Sequence, residues 1–116
     1  MRIYYAHCIA IYDTPQEQRD IETLQQLGFE VVNPNCPESA NGYKVLGMEY
    51  FRQFADTCDA IAFRALPGGS VPAGVFAEIG FFRDKGKPVI ELPSSINLRE
   101  MSVEETREYI RECGAR

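Results

Sequence analysis

Apolar residues in this chain gather in short strand-like runs, then recur at spacings of three and four, and this alternation repeats from start to finish. Arg2 to Ala6 (R-I-Y-Y-A) is β-prone. Thr14-Pro15-Gln16-Glu17 follows with a capping-box pattern and proline at the first helical position, and Ile21, Leu24 and Leu27 give the helix it opens a stripe to bury. Gly28 is placed to end that helix in the left-handed conformation, after which Phe29 to Asn33 reads as a second strand. Asn33 to Pro37 (N-P-N-C-P) then forces a loop.

In the second half, Leu46, Tyr50 and Phe54, with Phe51 alongside, return at helical spacing between about Tyr43 and Thr57. Ala60 to Arg64 begins as a continuous apolar run, the pattern of a strand covered on both faces. A helix from Gly74 to Lys85 ends at Gly86, Pro88 to Leu92 forms a fourth strand, and Ser102-Val103-Glu104-Glu105 is a second capping box. It opens a last helix with Val103, Ile110 and Cys113 facing inward. Strand and helix alternating in this way predict an α/β fold: a small Rossmann-like (flavodoxin-like) parallel sheet in order 2-1-3-4, with helices on both faces and right-handed crossovers.

Composition narrows the picture without changing it. At 116 residues, 45% hydrophobic and 25% charged, the chain suits one domain spanning 1–116 with a single core, and no repeat or linker-like tract divides it. A net charge of −5 with no cluster of lysine and arginine argues against polymeric nucleic acid as a partner. No stretch approaches the roughly 20 apolar residues of a membrane span, so a soluble, cytoplasmic protein with no membrane partner is expected. Cys8, Cys36, Cys58 and Cys113 form no C-x-x-C pair and have no histidine pair beside them, which predicts free thiols in a reducing compartment and no metal site.

The candidate chemistry centres on Gly74 to Phe82 (G-V-F-A-E-I-G-F-F), where Glu78 is the one ionisable side chain between Pro67 and Phe82. Glutamate on a helix ordinarily faces solvent, but here it lies on the border of a Val75, Ile79, Phe82 stripe, early in the helix of a βαβ unit. A desolvated carboxylate at that place is a candidate nucleophile or proton carrier. The loop before it, with Gly68, Gly69, Ser70 and Gly74, either lets backbone approach a ligand or merely turns the chain. It has neither the dinucleotide nor the P-loop spacing. At the carboxyl ends of the strands, His7, Cys8, Asn33, Arg64, Ser70, Glu91 and Ser94 form the rim, while Asp59 begins its strand and belongs to the opposite end. His7 and Cys8 are adjacent on a strand and point to opposite faces, so imidazole activation of the thiol is geometrically poor, and packing or ligand contact suits His7 better. Arg64, at the end of a buried strand, calls for a partner, either an internal carboxylate such as Glu91 or a substrate phosphate.

With these residues the chain resembles the nucleoside 2-deoxyribosyltransferase superfamily, which includes deoxynucleotide N-glycosidases. The matching pieces are Ile3-Tyr4-Tyr5-Ala6, Cys58-Asp59-Ala60-Ile61-Ala62, and Ala73 to Phe82 leading into Lys85-Gly86-Lys87-Pro88-Val89-Ile90. The resemblance implies that Glu78 attacks the anomeric carbon of a 2-deoxyribosyl group, that Tyr4 lines the pocket, and that no cofactor is used. It further implies a homodimer or higher homo-oligomer in which Ser94, Ser95 and Asn97 contact ligand across a subunit interface. Pro67-Gly68-Gly69 with Gly74 and Glu78 is also similar to the P-G-G-x-G-T-x-x-E pattern of cytokinin-activating phosphoribohydrolases, at a spacing three residues longer and without the threonine.

The expected function is therefore N-glycosidic bond cleavage or transfer on a small-molecule deoxynucleoside or nucleotide through a covalent glycosyl-glutamate, by a transferase or a hydrolase of nucleotide metabolism. Glu91 is a candidate general acid. The alternative is a nucleotide or nucleotide-sugar binding module of the same fold without turnover. It is suggested by His7-Cys8 and Pro72-Ala73 standing where monophosphate-specific members carry small hydroxyl residues, and by the missing acidic sugar binder before Gly74.

Overall fold

The computed structural model describes residues 1–93 and 101–114. Its strands are β1 (Arg2–Ala6), β2 (Glu30–Val32), β3 (Ala60–Phe63) and β4 (Val89–Glu91), and its helices α1 (Pro15–Gln26), α2 (Pro37–Leu46), α3 (Glu49–Thr57), α4 (Ala73–Asp84) and α5 (Val103–Glu112). The four strands form one all-parallel sheet in order β2-β1-β3-β4, with Tyr4 opposite Val32 on one side and Ile61 on the other. The fold is thus the small Rossmann-like α/β sheet that the alternation predicts. Among the described residues no helix is long and apolar enough to cross a membrane.

Strand alternation sends successive side chains to opposite faces, and this divides the core in two. On one face Tyr4, Ala6 and Ile61 pack against Ala55 of α3 and Val75, Ile79 and Phe82 of α4. On the other, Ile3, Tyr5, Ala60 and Ala62 pack with Leu24 of α1 and Leu92. The carboxyl ends of β1 and β3 meet between these layers. Asp59 takes a 2.7 Å hydrogen bond from the Arg2 backbone at the opposite, amino-terminal ends.

Several boundaries differ from expectation. The single helix predicted over 43–57 is two: α2 begins at Pro37, inside the expected loop region, and Gly47, at φ 62°, breaks the chain before α3. Leu46 and Leu27 are exposed instead of lying in a core stripe: Leu46 is the last residue of α2 and Leu27 the cap just past α1. The Thr14 box is half formed: its hydroxyl accepts from the Glu17 backbone, but the Glu17 carboxylate binds elsewhere. The Ser102–Glu105 box is complete. The helix it opens has no buried residue; Val103 and Cys113 are exposed and Ile110 is half-exposed, so their inward placement is corrected. Amphipathic periodicity marks the apolar side of α5 but does not supply a surface to cover it.

Candidate active site

Glu78 occupies the second turn of α4, one residue before the core residue Ile79, and is 8% exposed. The sequence around it explains the burial. With Val75, Ile79 and Phe82 docked on the sheet, 100° per residue brings position 78 to the edge of the packed stripe, over β1. There the Tyr4 hydroxyl donates a hydrogen bond to Glu78 Oε2. Tyr4 is fully buried and fixed by stacking on Phe54, with centroids 4.8 Å apart, and on Phe82.

The second carboxylate oxygen, Oε1, has no hydrogen-bond partner among the described residues and is not wholly enclosed. Burial pushes the Glu78 carboxyl up to about 7, against the smaller lowering effect of the Tyr4 hydrogen bond. The Tyr4 phenol is raised well above its ordinary value by burial and by the neighbouring Glu78 charge, so it remains a proton donor. One oxygen is held, the other is unpaired, and burial lifts the carboxyl to about 7; that arrangement suits a nucleophile or an acid–base carboxylate.

A second polar network lies on the α1 face. Arg64 binds Asp20 through two nitrogens, at 2.9 and 2.5 Å, and donates to the Pro93 carbonyl. Asp20 also accepts from the Tyr5 hydroxyl at 2.5 Å and from Gln16 Nε2 at 2.7 Å. The expected partner of Arg64 is thereby corrected: it is Asp20, because α1 lies against this face, while Glu91 is exposed at the end of β4. The His7 side chain is enclosed, with Nε2 2.8 Å from Glu17 and Nδ1 3.1 Å from the Tyr5 carbonyl, so neither nitrogen is free for a ligand. Glu17 also accepts from Asn35 and from the Asp13 backbone.

Gly68, Gly69 and Ser70 form an exposed turn closed by Gly69 N–H to the Leu66 carbonyl and Leu66 N–H to the Ser70 carbonyl. Both glycines have φ near 90°, which excludes most other residues. Gly74 stands in the first turn of α4, where a Cβ would meet the Met48 side chain at ordinary contact distance. Ser94, Ser95 and Asn97 lie outside the described residues. Cys8, Cys36, Cys58 and Cys113 are free thiols, and no group of three or more potential metal ligands occurs among the described residues.

Tyr4 and Glu78 are therefore brought together, while Arg64 and His7 belong to the opposite face. A hollow of about 260 Å³ on that face is lined by Gln16, Arg19, Asp20, Thr23, Arg64, Leu92 and Pro93, and does not include Glu78. Sequence reading missed Tyr12, half-buried just beyond β1, whose hydroxyl is influenced by the Glu78 charge. It sits between an apolar strand and a capping motif, and the fold packs its ring 4.8 Å from His7. The chain matches no protein-family model, and a search of curated proteins finds no match.

Proposed function

We propose that this protein cleaves or transfers at the N-glycosidic bond of a deoxynucleoside or nucleotide, with Glu78 as nucleophile. The observation that carries the reading is the buried carboxylate held at Oε2 by Tyr4 and without a hydrogen-bond partner at Oε1 among the described residues. Oε1 attacks the anomeric carbon as the bond to the base nitrogen breaks, its electron pair leaving with the base through an oxocarbenium-like transition state. The resulting deoxyribosyl ester is released to water in a hydrolase, or to a second base in a transferase. Tyr4 fixes the carboxylate's orientation and stabilises its anion. The resemblance to the nucleoside 2-deoxyribosyltransferase superfamily supports the same assignment and adds a homo-oligomer. The exposed Met101, Val103 and Tyr109 around α5 suit such an assembly. A cytoplasmic setting and a site without metal or cofactor complete the proposal.

Incubation with deoxynucleosides and their monophosphates, followed by chromatography of free base, tests it. The wild-type protein releases base and Glu78→Ala does not; activity surviving the substitution removes the mechanism. Addition of a second base separates transfer from hydrolysis. The internal commitment of Arg64 and His7 leaves few charged groups for substrate and favours one second reading, a nucleotide-binding module. Thermal stabilisation by nucleotide without base release, unchanged in Glu78→Ala, would establish that reading instead.

A further inference from the structure

We propose that Cys8 and Cys36 form a reversible dithiol–disulfide pair, a redox site at the carboxyl edge of the sheet that does not depend on the glycosyl-transfer reading. The β1–β2 ladder pairs Arg2 with Glu30, Ile3 with Val31 and Tyr4 with Val32. Carried on at the same offset, that register sets His7 opposite Asn35 and Cys8 opposite Cys36. The ladder stops for a chemical reason. Glu30 N–H donates to the Met1 carbonyl at 2.9 Å, alternate residues of β2 continue that series, and the rung after Val32 falls to Pro34, which has no N–H to give. The Tyr5 carbonyl that this rung would use lies 3.1 Å from His7 Nδ1.

Side-chain contacts keep the two segments side by side beyond that point. His7 Nε2 and Asn35 Nδ2 reach the same oxygen, Glu17 Oε2, at 2.8 and 3.1 Å, so positions 7 and 35 are still neighbours on the α1 face. The backbone remains extended through the next residue of each segment, with Cys8 at φ −68°, ψ 144° and Cys36 at φ −154°, ψ 158°. Successive side chains of an extended chain point to opposite faces, so both thiols turn to the other side, that of Tyr4, Ala6 and Val32. Neighbouring strands run about 4.8 Å apart, inside the roughly 4.4–6.8 Å between Cα atoms that a disulfide spans. Both thiols are half-buried, whereas Cys58 is sealed in the core and Cys113 stands exposed at the end of α5.

The oxidant is a small disulfide such as glutathione disulfide. The thiolate of one cysteine attacks a sulfur of the oxidant, whose sulfur–sulfur bond breaks, and a glutathione thiolate leaves. The thiolate of the other cysteine then attacks the protein sulfur of this mixed disulfide and expels the second glutathione. Two electrons pass from the cysteine sulfurs to the oxidant, and the two cysteine protons end on the two glutathione thiols. Excess glutathione runs the exchange backward. The bond staples the 3₁₀ turn leaving β1 to the start of α2, since Cys8 and Cys36 are the residues that cap those two elements.

The test is to equilibrate the native protein with glutathione disulfide, block remaining thiols with N-ethylmaleimide and map peptides by mass spectrometry. A Cys8–Cys36 linked peptide pair in monomeric protein, lost on return to glutathione, is the expected result. Cys8→Ser and Cys36→Ser should each hold a stable glutathione adduct on the remaining member of the pair, because no second thiol expels it. Wild-type protein in which Cys8 and Cys36 stay as free thiols or as separate glutathione adducts overturns the proposal. So does a link from either to Cys58 or Cys113, or one formed only between chains.

Discussion

At the scale of single residues, the chemistry rests on how burial and one hydrogen bond divide the control of Glu78. Burial favours the neutral acid and the Tyr4 hydroxyl favours the anion. Tyr4→Phe removes the second influence, so the Glu78 carboxyl rises further above about 7 and the acid limb of the pH–rate profile moves to higher pH, with a lower rate at pH 7. An unmoved limb would mean that Tyr4 does not tune the carboxyl. The same shift has a consequence for stability. A carboxyl at 4.5 when unfolded and about 7 when folded binds its proton more tightly in the native state, so stability is full below about 4.5 and falls as pH rises toward 7. By pH 8 the loss reaches about 3 kcal/mol. Glu78→Gln keeps an acceptor for Tyr4 without the charge. Its melting temperature is expected above wild type at pH 8 and equal to it at pH 4; an equal gain at both pH values would refute the link to ionisation.

At the scale of elements, α1 and α2 show how packing overrides pattern. Sequence reading gave α1 an apolar stripe of Ile21, Leu24 and Leu27, yet its buried residues are Glu17, Asp20 and Leu24. Binary patterning counts a carboxylate as solvent-facing, and the pairing with His7 and Arg64 depends on strands that are distant in sequence. Asp20→Ala leaves the Arg64 guanidinium buried without its anion and is expected to cost about 3–5 kcal/mol in denaturant unfolding. Adding Arg64→Met should recover much of that loss, and a double variant no more stable than the single would contradict the pairing. In α2, Gly42 packs directly on the Tyr50 ring; a Cβ there would stand 2.2 Å from ring carbons and 2.5 Å from Cγ, so it cannot be relieved by swinging the tip of the side chain. Gly42→Ala is accordingly expected to destabilise by about 1–3 kcal/mol despite its gain in helix propensity.

At the scale of the whole molecule, the strand order was legible because strand and helix alternate so regularly and because crossover handedness leaves few topologies. Glu78 was legible as an isolated acid in an apolar run. Its hydrogen bond to Tyr4 joins residues 74 positions apart, and the commitment of Arg64 to Asp20 joins residues 44 apart; neither leaves a local signal. The place of α5 was equally illegible, since none of its described residues is buried. Deleting residues 103–116 is expected to leave the unfolding midpoint of the monomeric chain nearly unchanged, whereas Phe82→Ala in the core should cost about 3–5 kcal/mol. A large loss on deletion would show that α5 is covered in solution.

In the proposed reaction the unpaired oxygen of Glu78 forms a bond to a sugar. Mixing the protein with a deoxynucleoside, quenching in acid and mapping peptides by mass spectrometry tests it most directly. The account predicts a deoxyribosyl group on the peptide containing Glu78, lost on further incubation with water or a second base and absent in Glu78→Gln. Base release with no adduct at any quench time, or an adduct on a different residue, would contradict it.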